Sequence, residues 1–210
     1  LTSGAVFPHG YQSHAATETC PGHSTVLTGA RPAHTGIIAN EWQGHYCVTD
    51  PRKDAKAITP ETLLVPTLGD RLHDADANSR TVAIGGKDRA AVMLGGKKSY
   101  LTLWWSKGKF ITYDGASIEP AMQARIAEVN EDARSAYETA QRPRLPAECE
   151  SRSQPVEIIK GQYSVGELHE NEAKSDKWRA TAAMDAMTLE MAKTAVDTLE
   201  LGKGKSIDVL

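Results

Sequence analysis

Apolar residues fall along this chain in two rhythms. The first is the short, dense run. Thr81-Val82-Ala83-Ile84, Tyr100 to Trp105 and Phe110 to Tyr113 are β-branched or aromatic and are bounded by glycine or polar residues, which predicts strands. Ser106-Lys107-Gly108-Lys109 lies between the last two and predicts a β-hairpin. The second rhythm is helical. Leu64, Leu68 and Leu72 recur at i, i+4 and i+8 within Thr62 to His73, and Pro66 places the start of that helix near Val65. Glu119 to Gln141 and Asp185 to Leu201 predict two further helices. In the second of these, Leu189, Ala192, Val196 and Leu199 share a face, and Gly202 is the stop. Shorter signals are a helix from Ser24 to Leu27 after a Pro21-Gly22 turn, an apolar run from Ala90 to Leu94, and strand-like pieces at Ala5-Val6-Phe7 and Ile207 to Leu210. Pro51 to Pro60 reads as loop, and Gln141 to Glu157 as irregular. Helices alternating with short apolar strands predict an α/β fold, a mostly parallel central sheet flanked by helices.

Composition narrows the classes. The 210 residues carry 24 Lys and Arg against 27 Asp and Glu, a net charge of −3. That balance argues against nucleic-acid binding through bulk positive charge. No apolar run approaches the roughly 18 residues of a membrane-spanning helix, and there is no internal repeat. The chain begins at Leu1 without an initiator Met and ends in a strand-like run, so we read it as a segment of a longer protein. Of three cysteines, Cys20, Cys47 and Cys149, none has CxxC spacing. Either Cys20 and Cys47 pair, or all three are free thiols.

Candidate chemistry concentrates in Thr17 to Gly29. A Thr at a helix start sits where backbone N–H groups and the helix dipole favour an anion. Its hydroxyl becomes a nucleophile if its pKa is lowered. Taken locally, the plainer reading is that Thr17 or Thr19 is an N-cap. Other candidates fade on inspection. Asp70, His73, Asp74 and Asp76 could share a metal but read better as a polar helix face. His9, His14, His23, His45 and His169 show no paired spacing. The Gly-Gly-Lys pieces at Gly85 and Gly95 fail the P-loop pattern, because position 91 is Ala. Cys20 lacks a matching Cys–His arrangement, and Trp104-Trp105 reads as packing rather than a substrate platform.

The wider pattern favours the nucleophile. Thr19, Pro21, His23, Thr28-Gly29, Pro32, Gly36-Ile37 and Asn40 fall in order and without insertion. This stretch resembles the nucleophile segment of the alkaline phosphatase superfamily. The likeness is to its type I phosphodiesterase/nucleotide pyrophosphatase branch, and within it to the phosphate-irrepressible alkaline phosphatases. Thr35 departs from the usual His, with His34 one place earlier, an expected effect on loop packing. A second block, Leu64 to Asp70 followed by Val82 to Ala91, looks like the monoesterase members, whose Lys-Asp-Arg triplet contacts phosphoryl oxygens. Lys87 and Arg89 match that triplet. On an extended segment, i and i+2 would point both cations to one face.

The resemblance implies a metal-dependent hydrolase of phosphate monoesters working through a phospho-threonine intermediate. Thr19 would be the nucleophile, with Asn40, Lys87 and Arg89 binding the transferring group. The implied cofactor is a pair of zinc ions in the complete protein. Thr19 is the one metal-contacting position that carries over, and the remaining ligands are expected outside this chain. Residues 1–210 would be the central portion of one catalytic domain, with 81–115 the strand and hairpin segment bearing the Lys-Arg clamp. The expected partner is a small phosphate ester, with no nucleic acid bound through bulk charge, and the expected location periplasmic or secreted. Alternatives are a phosphodiesterase or nucleotide pyrophosphatase of the same branch, and an inactive phosphate-binding relative.

Overall fold

The structure is a computed structural model that describes residues 3–6, 8–12, 14–53, 57–139, 147–150, 152, 156–158, 163–165, 178–179 and 181–210. Its elements run in order α1 (Thr19–Thr28), α2 (Pro32–Thr35), β1 (Glu41–Trp42), β2 (His45–Tyr46), α3 (Leu68–Ala75), β3 (Val82–Gly85), α4 (Asp88–Gly95), β4 (Leu101–Ser106), β5 (Lys109–Ile111), α5 (Pro120–Glu138), α6 (Ala147–Glu150), β6 (Val156–Ile158), β7 (Tyr163–Val165) and α7 (Ala182–Leu199).

The sheet that positions the site is β3-β4-β5. β3 and β4 are parallel, crossing over through α4, and β4 and β5 form the expected hairpin with Trp105 opposite Phe110. Lys107 and Gly108 both have positive φ, the turn chemistry a two-residue hairpin needs. Val209 adds a parallel bridge at Thr81 on the other side of β3, so two of the three pairings around β3 and β4 are parallel. Two small antiparallel pairs, β1-β2 and β6-β7, stand apart from this sheet.

All five residues from Leu101 to Trp105 are buried, because helices cover both faces of β4. Leu101, Leu103 and Trp105 pack with Met122 and Ile126 of α5 and Met184 and Met191 of α7. Trp104 points the other way, into a second core with Ala91, Val92 and Met93 of α4, Cys20 of α1, and Val48 and Leu63. Both tryptophans are therefore packing residues. Trp105 stacks edge-on against Phe110, and Trp104 against Tyr113.

Several local expectations are corrected. α1 begins at Thr19, so Pro21 and Gly22 lie inside its first turn rather than before it. The first backbone N–H groups of a helix have no partner within it, so a proline there removes nothing. α3 begins at Leu68, not near Val65. Thr67 caps it in a box in which Thr67 Oγ1 accepts from the Asp70 N–H and Asp70 Oδ2 accepts from the Thr67 N–H. Leu64 consequently lies off the helix, 71% exposed. On α7 the buried stripe is Met184, Met191, Ala195 and Leu199, while Leu189 is 70% exposed. α7 is apolar over more than one face, and the Met-rich face is the one meeting α5. Ala5 and Val6 form no strand, and Phe7 is outside the described residues. The same holds for Gln141 and for His169. The supposedly irregular stretch before Glu157 contains α6 and the start of β6.

Candidate active site

Thr19 is the first residue of α1, half-buried, with Glu18 at the cap position making no side-chain cap bond. The N-cap reading of Thr17 or Thr19 is thus set aside: neither hydroxyl closes the helix. His23 Nδ1 donates to the Thr19 carbonyl at 2.9 Å. A carbonyl can only accept, so that ring nitrogen carries the proton. Asn40 lies against the same turn. Its Oδ1 accepts the Cys20 N–H at 2.9 Å, and its own N–H donates to Glu18 Oε2 at 2.5 Å. With Oδ1 committed to a backbone N–H, the Asn40 Nδ2 group is the donor left over.

The Lys-Asp-Arg triplet follows the carboxyl end of β3, where open α/β sheets place ligand sites. It is not extended. Lys87 has extended dihedrals and caps α4, but Asp88 and Arg89 are its first two helical residues. The expectation that Lys87 and Arg89 share a face by strand alternation is therefore corrected. Asp88 at the first helical position favours the helical start through the dipole. The two cations are instead the cap and the second helical residue of α4. Lys87 is half-buried and enters no ion pair among the described residues.

Arg89 is held from the side by a residue that the sequence reading missed. Tyr46 of β2 accepts from Arg89 Nη1 at 2.9 Å and donates to Asp88 Oδ1 at 2.7 Å. The guanidinium carbon lies 5.8 Å from the Tyr46 ring centroid. Burial and the Asp88 carboxylate push the Tyr46 hydroxyl up to about 12, with Arg89 pulling weakly the other way. Arg89 Nε is buried and without a partner among the described residues.

A disulfide joins the two halves of the site. Cys20, next to Thr19, is bonded to Cys47, next to Tyr46, with Cα atoms 6.5 Å apart. This settles the open cysteine question, and Cys149 remains an exposed free thiol. α1 also packs directly on α4. Thr19, Asn40 and Arg89 therefore belong to one connected unit: Asn40 by hydrogen bonds, Arg89 through Tyr46 and the disulfide. A groove of about 520 Å³ runs beside it, lined by Ile37, Ile38, Trp42, Tyr46 and Cys47 among others.

No three His, Cys, Asp or Glu side chains among the described residues gather as metal ligands. Asp70 is spent on the α3 cap and on the Lys98 N–H, and Asp74 pairs with Lys98. Of the residues read as a polar helix face, Asp70 is buried in the cap and Asp76 lies just past the helix end. The residues present do not fit a two-zinc site. No helix among the described residues is long and apolar enough to cross a membrane.

The chain is 39% identical to alkaline phosphatase PhoK of a Sphingomonas species, over 100% of this chain and 40% of that protein. The crystal structure of alkaline phosphatase PafA superposes with a TM-score of 0.74 at 23% identity, covering 94% of this chain and 43% of PafA. A PafA variant substituted at a Thr, an Asn, a Lys and an Arg superposes with a TM-score of 0.71 at 22% identity, with the same coverage. The chain spans about two fifths of the length of these relatives. The profile of the type I phosphodiesterase/nucleotide pyrophosphatase family matches residues 1–195, and the chain belongs to that family.

Proposed function

We propose that this chain supplies the nucleophile and phosphoryl-binding groups of a phosphate monoester hydrolase. The observation that carries the reading is the joined unit itself. A Thr hydroxyl unused for capping, an amide donor and an arginine with a buried unpartnered N–H are fixed to one another by a disulfide and short hydrogen bonds. An orphan buried donor costs about 1–3 kcal/mol, which a phosphoryl oxygen would offset. The PafA variant adds support. Its four substituted residues are the same types in the same order, with the same 21 positions from Thr to Asn and two from Lys to Arg.

Thr19 Oγ1 attacks phosphorus in line. The P–O bond to the leaving group breaks, and the leaving alcohol departs with a proton. Water then cleaves the phospho-threonine to inorganic phosphate. Asn40 Nδ2, Lys87 and Arg89 bind the non-bridging oxygens as charge redistributes. Two cations suit the dianionic group of a monoester better than the monoanion of a diester. The pair of zinc ions that the resemblance implies meets one candidate oxygen here, that of Thr19, so no step is drawn through them. The periplasmic or secreted location is proposed on the same resemblance, and the disulfide is consistent with an oxidising compartment.

The test uses the full-length protein. Thr19→Ala should abolish monoester turnover, and acid quenching of the native enzyme should leave one phosphoryl group on the peptide bearing Thr19. Unchanged turnover in Thr19→Ala sinks the mechanism, and a preference for diesters transfers the reading to the phosphodiesterase.

A further inference from the structure

The guanidinium of Arg89 has two usable edges, and they are not equivalent. Nη1 is already engaged by the Tyr46 hydroxyl at 2.9 Å. Nε and Nη2 form the opposite, side-on edge. On that edge Nε is buried without a partner among the described residues, and no hydrogen bond from Nη2 appears among them either. Carboxylates and phosphates take two parallel N–H donors from one edge of an arginine. The hydroxyl of Tyr46 is itself fixed, because it donates to Asp88 Oδ1 at 2.7 Å while Asp88 also accepts the Arg89 backbone N–H at 2.7 Å.

We infer that Tyr46, braced by Asp88, is a positioning residue that turns the Nε/Nη2 edge of Arg89 to two oxygens of the phosphoryl group. The inference rests on the reading of Arg89 as a phosphoryl ligand. Tyr46 does not touch the reacting atoms. Together with Asp88, whose Oδ1 lies 3.9 Å from the same Nη1, its hydroxyl holds the Nη1 corner that would otherwise let the guanidinium rotate and present a different edge. The arrangement is tied to the nucleophile, since Tyr46 precedes Cys47 and the disulfide runs from there to the residue after Thr19.

The experiment compares Tyr46→Phe, Arg89→Ala and the double variant in the full-length, metal-loaded protein. The readouts are kcat/KM for a phosphate monoester and inhibition by inorganic phosphate. Phe keeps the ring under the guanidinium and removes the hydroxyl alone. Tyr46→Phe should lower kcat/KM roughly ten- to a hundredfold, the scale of a small misplacement of a binding group, and weaken phosphate inhibition in parallel. In the Arg89→Ala background the same substitution should change neither by more than about twofold. Asp88→Ala removes both the brace on the hydroxyl and the Asp88–Arg89 ion pair, so its loss should be at least that of Tyr46→Phe; a smaller loss overturns the inference even if Tyr46→Phe folds poorly. An equal loss from Tyr46→Phe with and without Arg89 overturns it, as does no loss with Arg89 present. Full phosphate inhibition in Arg89→Ala removes the phosphoryl-ligand reading itself and the inference with it.

Discussion

Breaking the Cys20–Cys47 disulfide perturbs stability and the candidate site together, and its size follows from the chain. The bond closes a loop with a sequence separation of 27. On the loop-entropy relation, opening such a loop frees about 3.5 kcal/mol of denatured-state entropy at 25 °C. Both cysteines are buried among apolar neighbours, so Cys20→Ala with Cys47→Ala removes the link without burying a new hydroxyl. The assay is urea unfolding of the native and double-alanine full-length proteins. The slope grows with the surface exposed on unfolding, so in the longer full-length protein the midpoint should fall by less than the roughly 1–3 M that a small protein's slope of about 1–3 kcal/mol/M would give. Peptide mapping after alkylation should show Cys20 and Cys47 linked and Cys149 modified. Reduction with a dithiol should reproduce the double variant, while Cys149→Ser should change nothing. Monoester turnover should fall with the disulfide, because the link fixes the turn bearing Thr19 to the strand bearing Tyr46. A stability change under about 1 kcal/mol with turnover intact would refute the view that this bond organises the site.

Three further changes test the frame around the site. Gly96 has φ +76°, and a Cβ there would sit 2.4 Å from Thr67 Oγ1 and 2.6 Å from Asp70 Oδ2; Gly96→Ala should therefore cost about 3 kcal/mol or more, read by thermal unfolding. The Arg80 guanidinium grips Asp208 with two hydrogen bonds and its backbone N–H adds a third, and this holds the Asp208 carboxyl below its ordinary range. That stabilisation is present above about pH 4, the unfolded value, and is lost as pH falls further, so Asp208→Asn should cost about 1–3 kcal/mol at pH 7 and less in acid; a pH-independent loss would contradict the linkage. Asn130 accepts the Phe110 N–H and donates to its carbonyl from across α5, so Asn130→Ala should lower stability by about 1–3 kcal/mol and speed amide exchange at Phe110.

Strands β3, β4 and β5 were legible because their apolar runs are uninterrupted, and burial on both faces of β4 demands such a run, whereas the short β1, β2, β6 and β7 carry no such run. The helix starts were harder. Thr67 and Asp70 spell a capping box, yet Pro66 one residue earlier drew the boundary forward. In α1 the proline and glycine looked like a turn, but a first helical turn tolerates both. The position of the Lys-Asp-Arg triplet was visible from its place after a strand, and its conformation was not: Lys87 is extended and Arg89 helical, so strand alternation stops between them. Tyr46 left almost no trace. It lies in a two-residue strand, and its partners Asp88 and Arg89 are 42 and 43 residues away. The one available signal was Gln43-Gly44, whose positive φ values make the β1-β2 turn.

Magnitudes decide what distinguishes this site from any helix start. Thr19 opens α1 and the Lys-Asp-Arg triplet opens α4, so two helix dipoles could favour an anion near them. Each such dipole is worth about 0.3–1 kcal/mol at exposed positions. A hydrogen bond to a charged group is worth about 1.5–3 kcal/mol, and a bidentate arginine makes two. Side chains therefore outweigh dipoles here, and the backbone's larger contribution is placement. The helical turn at Asp88 brings its carboxylate back onto the Arg89 N–H, the same carboxylate anchors Tyr46, and Tyr46 occupies one arginine edge. A strand at this position would have aimed two cations outward with nothing to orient them. The helical start lets Arg89 be oriented by its neighbours, while Lys87 enters no ion pair among the described residues, so under the proposed function the phosphoryl group would meet one braced cation and one point charge.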